Sequence, residues 1–113
     1  MHEMSLAEGV LQILEECAQR EHAKQVRLVR LEIGELAGVE VDALRFCFDV
    51  VTHGSVAEGA LLEIVREPGG AWCMHCSRSV LIAQRGDPCP ECGSHQLQVS
   101  SGTSMRVIDL EVT

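Results

Sequence analysis

Apolar residues recur along the first twenty positions at helical spacing. Leu6, Val10, Ile13, Leu14 and Cys17 fall along one stripe, with Gln12, Glu15, Glu16 and Gln19 facing water. Ser5 and Glu8 form an S-x-x-E capping box, in which each side chain satisfies a free amide of a helix start, so a helix is expected from about Leu6 to Glu21. From Val26 to Gly34 the period changes to two: Val29, Leu31 and Ile33 lie on one face and Arg30 and Glu32 on the other, a half-buried strand. A loop from Gly34 to Glu40 leads to a second amphipathic helix marked by Val41, Leu44, Phe48 and Val51 and ended by Gly54 after His53. Ala60 to Glu67 and Met105 to Val112 read as two more strands, the last setting Ile108, Leu110 and Val112 against Asp109 and Glu111. These elements predict an α+β fold, a small three-stranded sheet with two helices on one face, because that arrangement buries both apolar stripes.

Between the last two strands the pattern breaks. Glu67-Pro68-Gly69-Gly70 opens a cysteine-bearing block and Ser100-Ser101-Gly102-Thr103-Ser104 closes it, so the block reads as an insertion on two turn-rich hinges. The expected division is residues 1–68 together with 97–113 as the α+β domain and 69–96 as an inserted zinc ribbon. The chain of 113 residues can support one modest core, and a second unit this small needs a staple.

The staple is legible. Cys73-Met74-His75-Cys76 and Cys89-Pro90-Glu91-Cys92 are two C-x-x-C pairs separated by residues 77 to 88. Each pair can turn two sulfurs toward one point, and a hairpin between them makes a tetrahedral, closed Zn(II) site that supplies the segment's folding energy. A redox dithiol has one such pair, at a helix start in a βαβ unit, so two pairs favour zinc. His75 and His95 are read as solvent-exposed or as outer neighbours of the metal site.

Charge decides among the partners a ribbon could serve. Nine basic residues stand against 17 acidic ones, a formal charge of −8 with no basic run, which repels a phosphate backbone. A nucleic-acid adaptor is therefore the second choice, and no nucleic-acid partner is expected. A metal-dependent hydrolase is a third choice, disfavoured because four thiolates leave zinc no open position. The protein is read as a non-enzyme. The start has no basic region and no apolar run long enough for a membrane helix, so a soluble, cytoplasmic protein with no membrane partner is expected. In that reducing compartment six cysteines are metal ligands or buried thiols rather than disulfides.

His2 has unusual chemistry for its position. The Met1 amine, the His2 amide nitrogen, the His2 imidazole and the Glu3 amide nitrogen can supply four nitrogens in a plane, the geometry Ni(II) or Cu(II) prefers. Met1-His2-Glu3, Ile33-Gly34-Glu35-Leu36, Phe46-Cys47-Phe48-Asp49 leading to Gly54-Ser55-Val56-Ala57-Glu58-Gly59, and the paired C-x-x-C motifs together resemble the HypA/HybF hydrogenase maturation proteins, from Met1 to about Val112.

That resemblance implies a nickel metallochaperone with structural zinc in the ribbon. It would carry Ni(II) to the large subunit of [NiFe]-hydrogenase together with a HypB-type GTPase. The chain has no phosphate-binding G-x-x-x-x-G-K-[ST] loop, so nucleotide hydrolysis would come from the GTPase. The resemblance makes His2 the side-chain nickel ligand, with backbone nitrogens from Met1 and Glu3. It sets Glu40 at a loop position where some members carry an acidic residue near nickel, and His95 at a ribbon histidine that approaches nickel in some. Homodimerisation and service to urease are left open. Cys17 and Cys47 are expected as buried free thiols, His22 and His53 as helix-end residues that satisfy the last carbonyls, and Met4 and Met105 as core or rim.

Overall fold

The computed structural model describes residues 2–113, with the elements α1 (His2–Arg20), β1 (Val26–Gly34), α2 (Val41–Thr52), β2 (Leu61–Glu67), β3 (Gly69–Cys73), β4 (Arg78–Ile82), β5 (Leu97–Ser101) and β6 (Met105–Val112). The expected α+β architecture is present: two helices, a three-stranded sheet in the order β2-β1-β6, and a second three-stranded sheet in the order β4-β3-β5 whose central strand ends at Cys73, the first of the four clustered cysteines. By contacts the chain divides into two compact units. One comprises Met1–Leu31, Val39–Ile64 and Val107–Thr113, the other Glu32–Gly38 and Val65–Arg106.

In the first unit α1 packs on α2. The buried face of α1 is Ala7, Val10, Leu14 and Ala18. It is rotated from the expected stripe: Ile13 is 44% exposed, while two alanines, too small to register as apolar markers, are buried. Small residues let helix backbones approach closely. The helix also begins at His2 rather than Leu6, so Ser5 lies within it and is no cap. Its other end is a Schellman turn: Ala23 N–H donates to the Ala18 carbonyl at 2.8 Å and His22 N–H to Gln19 at 3.3 Å, with His22 in the left-handed region at φ 53°. His22 thus satisfies a last carbonyl through its backbone. Helix α2 buries Leu44, Cys47, Phe48 and Thr52, and the Thr52 hydroxyl donates to the Phe48 carbonyl at 2.7 Å. Gly54, at φ 77°, follows the C-cap His53 as expected.

Strand β1 alternates as the sequence implies, with Val29, Leu31 and Ile33 buried. On its polar face Arg30 donates to Glu63 at 2.8 Å and also to Asp109, so one guanidinium ties the central strand to both neighbours. The Glu63 carboxylate raises the Arg30 pKa above its ordinary value, with Asp109 adding to the effect.

The second unit holds an antiparallel sheet, with Ala71 opposite Val80 on β4 and Val99 on β5. Leu97–Ser101 pairs with β3, so the ribbon sheet extends past the expected 69–96 segment. Leu36, from the loop after β1, joins Ala71, Cys73, Val80, Ile82 and Cys89 in a small apolar core. Backbones meet closely beside it. Leu36 N–H donates to the Gly102 carbonyl at 2.8 Å, and a Cβ on Gly102 would lie 2.6 Å from the Pro68 carbonyl and 2.7 Å from the Gly69 Cα. A Cβ on Gly34 would land on the Gly102 carbonyl itself. Gly34→Ala should therefore lower unfolding stability by about 3 kcal/mol, because the obstacle is backbone that cannot rotate away. Urea denaturation checks it, with the exposed Gly9→Ala substitution in α1 as the control expected to lose nothing.

Candidate metal centre

The two C-x-x-C segments fold as the same turn used twice. Cys73 is the last residue of β3, and the chain turns back so that Cys76 N–H points at the Cys73 sulfur at 3.3 Å and Ser77 N–H donates to the Cys73 carbonyl at 2.8 Å. In the second turn Glu91 N–H points at the Cys89 sulfur at 3.4 Å and Gly93 N–H donates to the Cys89 carbonyl at 2.9 Å. Each turn closes on a left-handed residue, Ser77 at φ 56° and Gly93 at φ 77°. Arg78, just past the first turn, bonds Glu91 inside the second at 2.7 Å and so ties the two together.

The four sulfurs converge. All lie within 4.8 Å of one another, with Cys73 and Cys92 at 3.7 Å and Cys76 and Cys89 at 4.0 Å. A tetrahedral ion with metal–sulfur bonds of about 2.3 Å separates its ligands by about 3.8 Å, so the donor set fits Zn(II) with little adjustment. Cys73 and Cys89 are buried, Cys76 is half-buried and Cys92 exposed. Proton affinities in the cluster diverge. Cys89 is lowered to about 7, chiefly because the Cys92 backbone N–H donates to its sulfur. Cys76 is raised to about 12 by its hydrogen bond to Cys92, with burial adding to the effect. Four thiolates cannot share this space without a cation. Four sulfur ligands also close the coordination sphere, as in structural sites. His75 and His95 are both exposed.

The N-terminal candidates lie in the first turn of α1, except Met1, which is outside the described residues. The His2 ring is 58% exposed, and its Nδ1 is 3.5 Å from a Glu3 carboxylate oxygen. That same oxygen accepts from the Glu40 N–H at 3.2 Å. Glu40 in turn is the N-cap of α2, its side chain accepting from Asp42 N–H at 3.3 Å. The Glu3 carboxylate, which sequence reasoning passed over in favour of its amide, thus pins the first turn of α1 to the start of α2; an acidic residue beside His2 was the available signal. Among the described residues the four cysteines are the one group of three or more potential side-chain ligands within metal-binding range. Cys47 is buried as expected. Cys17 is only half-buried, with the Arg20 guanidinium 3.1 Å from its sulfur.

An α+β protein with a zinc-ribbon-like four-cysteine centre is the class these observations define. A profile for the family described as "Hydrogenase/urease nickel incorporation, metallochaperone, hypA" matches residues 1–112, and the chain belongs to that family. It is 60% identical over 112 residues to the hydrogenase maturation factor HypA of Azotobacter chroococcum mcd 1 and 56% identical to that of Dechloromonas aromatica (strain RCB), with 99% of each chain covered in both cases. The solution structure of the Ni metallochaperone HypA from Helicobacter pylori superposes with a TM-score of 0.69 at 27% identity, covering 97% of this chain and 96% of that one. A second HypA solution structure gives 0.72 at 28% identity, covering 100% and 97%.

Accepting the Glu40 N–H lowers the Glu3 pKa from 4.5, with the His2 contact adding to the effect. A lowered carboxylate pKa contributes stability above the ordinary value and loses it as pH falls through the lowered one. The contact should therefore persist at neutral pH and open only below pH 4.5. The Glu40 amide shift in an NMR acid titration checks this, and in Glu3→Gln the acid transition should be absent.

Proposed function

We propose that this protein is a nickel carrier that takes up Ni(II) at its N-terminus and delivers it to the large subunit of a [NiFe]-hydrogenase, with a resident Zn(II) on Cys73, Cys76, Cys89 and Cys92. The observation that carries the reading is the position of His2: an exposed imidazole in the first turn of α1. An α-helix leaves its first four amides without intrahelical acceptors, so the His2 and Glu3 nitrogens can exchange their protons for a metal without breaking a helical hydrogen bond. With the Met1 amine and the His2 ring they complete a planar set of four nitrogens, which suits Ni(II). Nδ1 is the ring nitrogen that closes a six-membered chelate with the residue's own amide, and it would swing away from Glu3 to do so. The exposure of this end permits both loading and release.

The family description supports the cargo and leaves hydrogenase and urease as destinations. Nucleotide hydrolysis in delivery would belong to a HypB-type GTPase partner in the cytoplasm. The zinc, once bound, would staple the small core of the ribbon, and Leu36, Ala71 and Val80 would pack behind its ligands.

Native mass spectrometry should find one zinc and, after nickel addition, one nickel per chain. His2→Ala should lose the nickel and hydrogenase maturation in cells while keeping stoichiometric zinc and the wild-type melting curve. A few residues added before Met1 should weaken nickel binding even with His2 and Glu3 in place, because the terminal amine becomes an amide. Wild-type nickel affinity in both proteins would overturn the N-terminal site. A separate test addresses the ribbon. Replacing Cys73 and Cys76 by Ala should abolish zinc binding and the amide protection of β3 to β5 while most far-ultraviolet helix signal remains. Loss of the helices as well would show that the metal-dependent unit is larger than the ribbon.

A further inference from the structure

Helix α2 buries one face and leaves an apolar stripe on another. Phe46 is 69% exposed and Val50 49%, one helical turn apart and therefore side by side. The stripe is flanked by exposed Asp42, one turn before Phe46, and exposed Asp49, three residues after it. Arg45, the one basic residue of the helix, is held by the Leu62 carbonyl at 2.7 Å. The surrounding charge has the same sign. The unit made of Met1–Leu31, Val39–Ile64 and Val107–Thr113 carries 12 acidic and 5 basic residues, so it holds −7 of the chain's −8.

We propose that the Phe46–Val50 face of α2 docks a protein partner that presents an apolar stripe ringed by lysine and arginine. An apolar centre with a charged rim is the usual anatomy of a specific protein contact, the centre supplying burial and the rim steering and selection. The sign of the rim selects the occupant. A second copy of this chain would face −7 with −7, and a two-fold contact would bring both copies of Asp42 and Asp49 into one interface. Nucleic acid and anionic membranes are repelled for the same reason. The carrier reading gives this docking its purpose, but the contact itself needs no nickel. It is therefore tested on zinc-loaded protein without nickel, and its failure is distinguishable from failure of the nickel site.

The probe is a synthetic amphipathic helix with leucines at i and i+4 flanked by lysines, titrated into isotope-labelled full-length protein beside a twin with glutamates for lysines. The lysine peptide should shift the amides of residues 42–53 and bind more weakly as salt rises, and the glutamate twin should not bind. Combined Phe46→Ser and Val50→Ser should weaken binding about tenfold or more. Both positions are exposed, and far-ultraviolet spectra will verify the fold. Asp49→Asn should weaken binding less and flatten its salt dependence. Equal affinity for the doubly substituted protein, shifts centred on the acidic face of α1, or equal binding of the two peptides would overturn the proposal. So would a wild-type dimer in sedimentation that the Phe46 and Val50 substitutions dissolve, since the occupant would then be a second copy.

Discussion

Sulfurs held 3.7 and 4.0 Å apart in pairs, and none more than 4.8 Å from another, repel as thiolates unless a cation sits among them. The ribbon is built around that requirement. Its apolar core amounts to Leu36, Ala71, Val80 and Ile82 with Leu97 and Val99 partly buried, too little to hold a domain of this size unaided. Cys73 and Cys89 belong to the same core, so the ion would close it from one end while the aliphatic side chains fill the other. The N–H groups directed at the Cys73 and Cys89 sulfurs and the Arg78–Glu91 ion pair help hold the ligands in place.

The helical unit answers a different demand. In the proposed carrier role, uptake and release of a metal call for accessible donors rather than donors in a packed core. The first turn of α1 supplies amides that no helical bond occupies, and Glu3, held by the Glu40 N–H, anchors that turn without covering the His2 ring. Glu40 serves two elements through different atoms, capping α2 with its carboxylate and anchoring α1 with its amide.

Sequence patterning located β1, β2, β6 and the cysteine centre because these signals are local and strong, but not the three short ribbon strands. The alternation of Val29, Leu31 and Ile33 with Arg30 and Glu32 can satisfy only a sheet with one wet face, and two C-x-x-C pairs at this spacing have few other solutions. The start of α1 departs from the local pattern, at His2 rather than near Leu6. Ser5 and Glu8 make a credible capping box, but the contact of Glu3 with Glu40, 37 residues away, extends the helix back to His2. Propensity yields to tertiary contact at a helix end, where only a few bonds are at stake.

By itself the sequence determined the fold class, the four-cysteine centre and the acidic character, since each follows from residue type and spacing along the chain. The tertiary structure decided what depends on residues distant in sequence meeting in space. It turned α1 so that Ala7 and Ala18 face inward and Ile13 outward, brought Leu36 into the ribbon core, paired Leu97–Ser101 with β3, and joined Arg78 to Glu91. It also left Phe46 and Val50 uncovered on a helix whose periodicity alone would not single them out. The physical reason is common to all of these: periodicity reveals which faces an element offers, but burial is settled by the partner it meets, and that partner is written elsewhere in the chain.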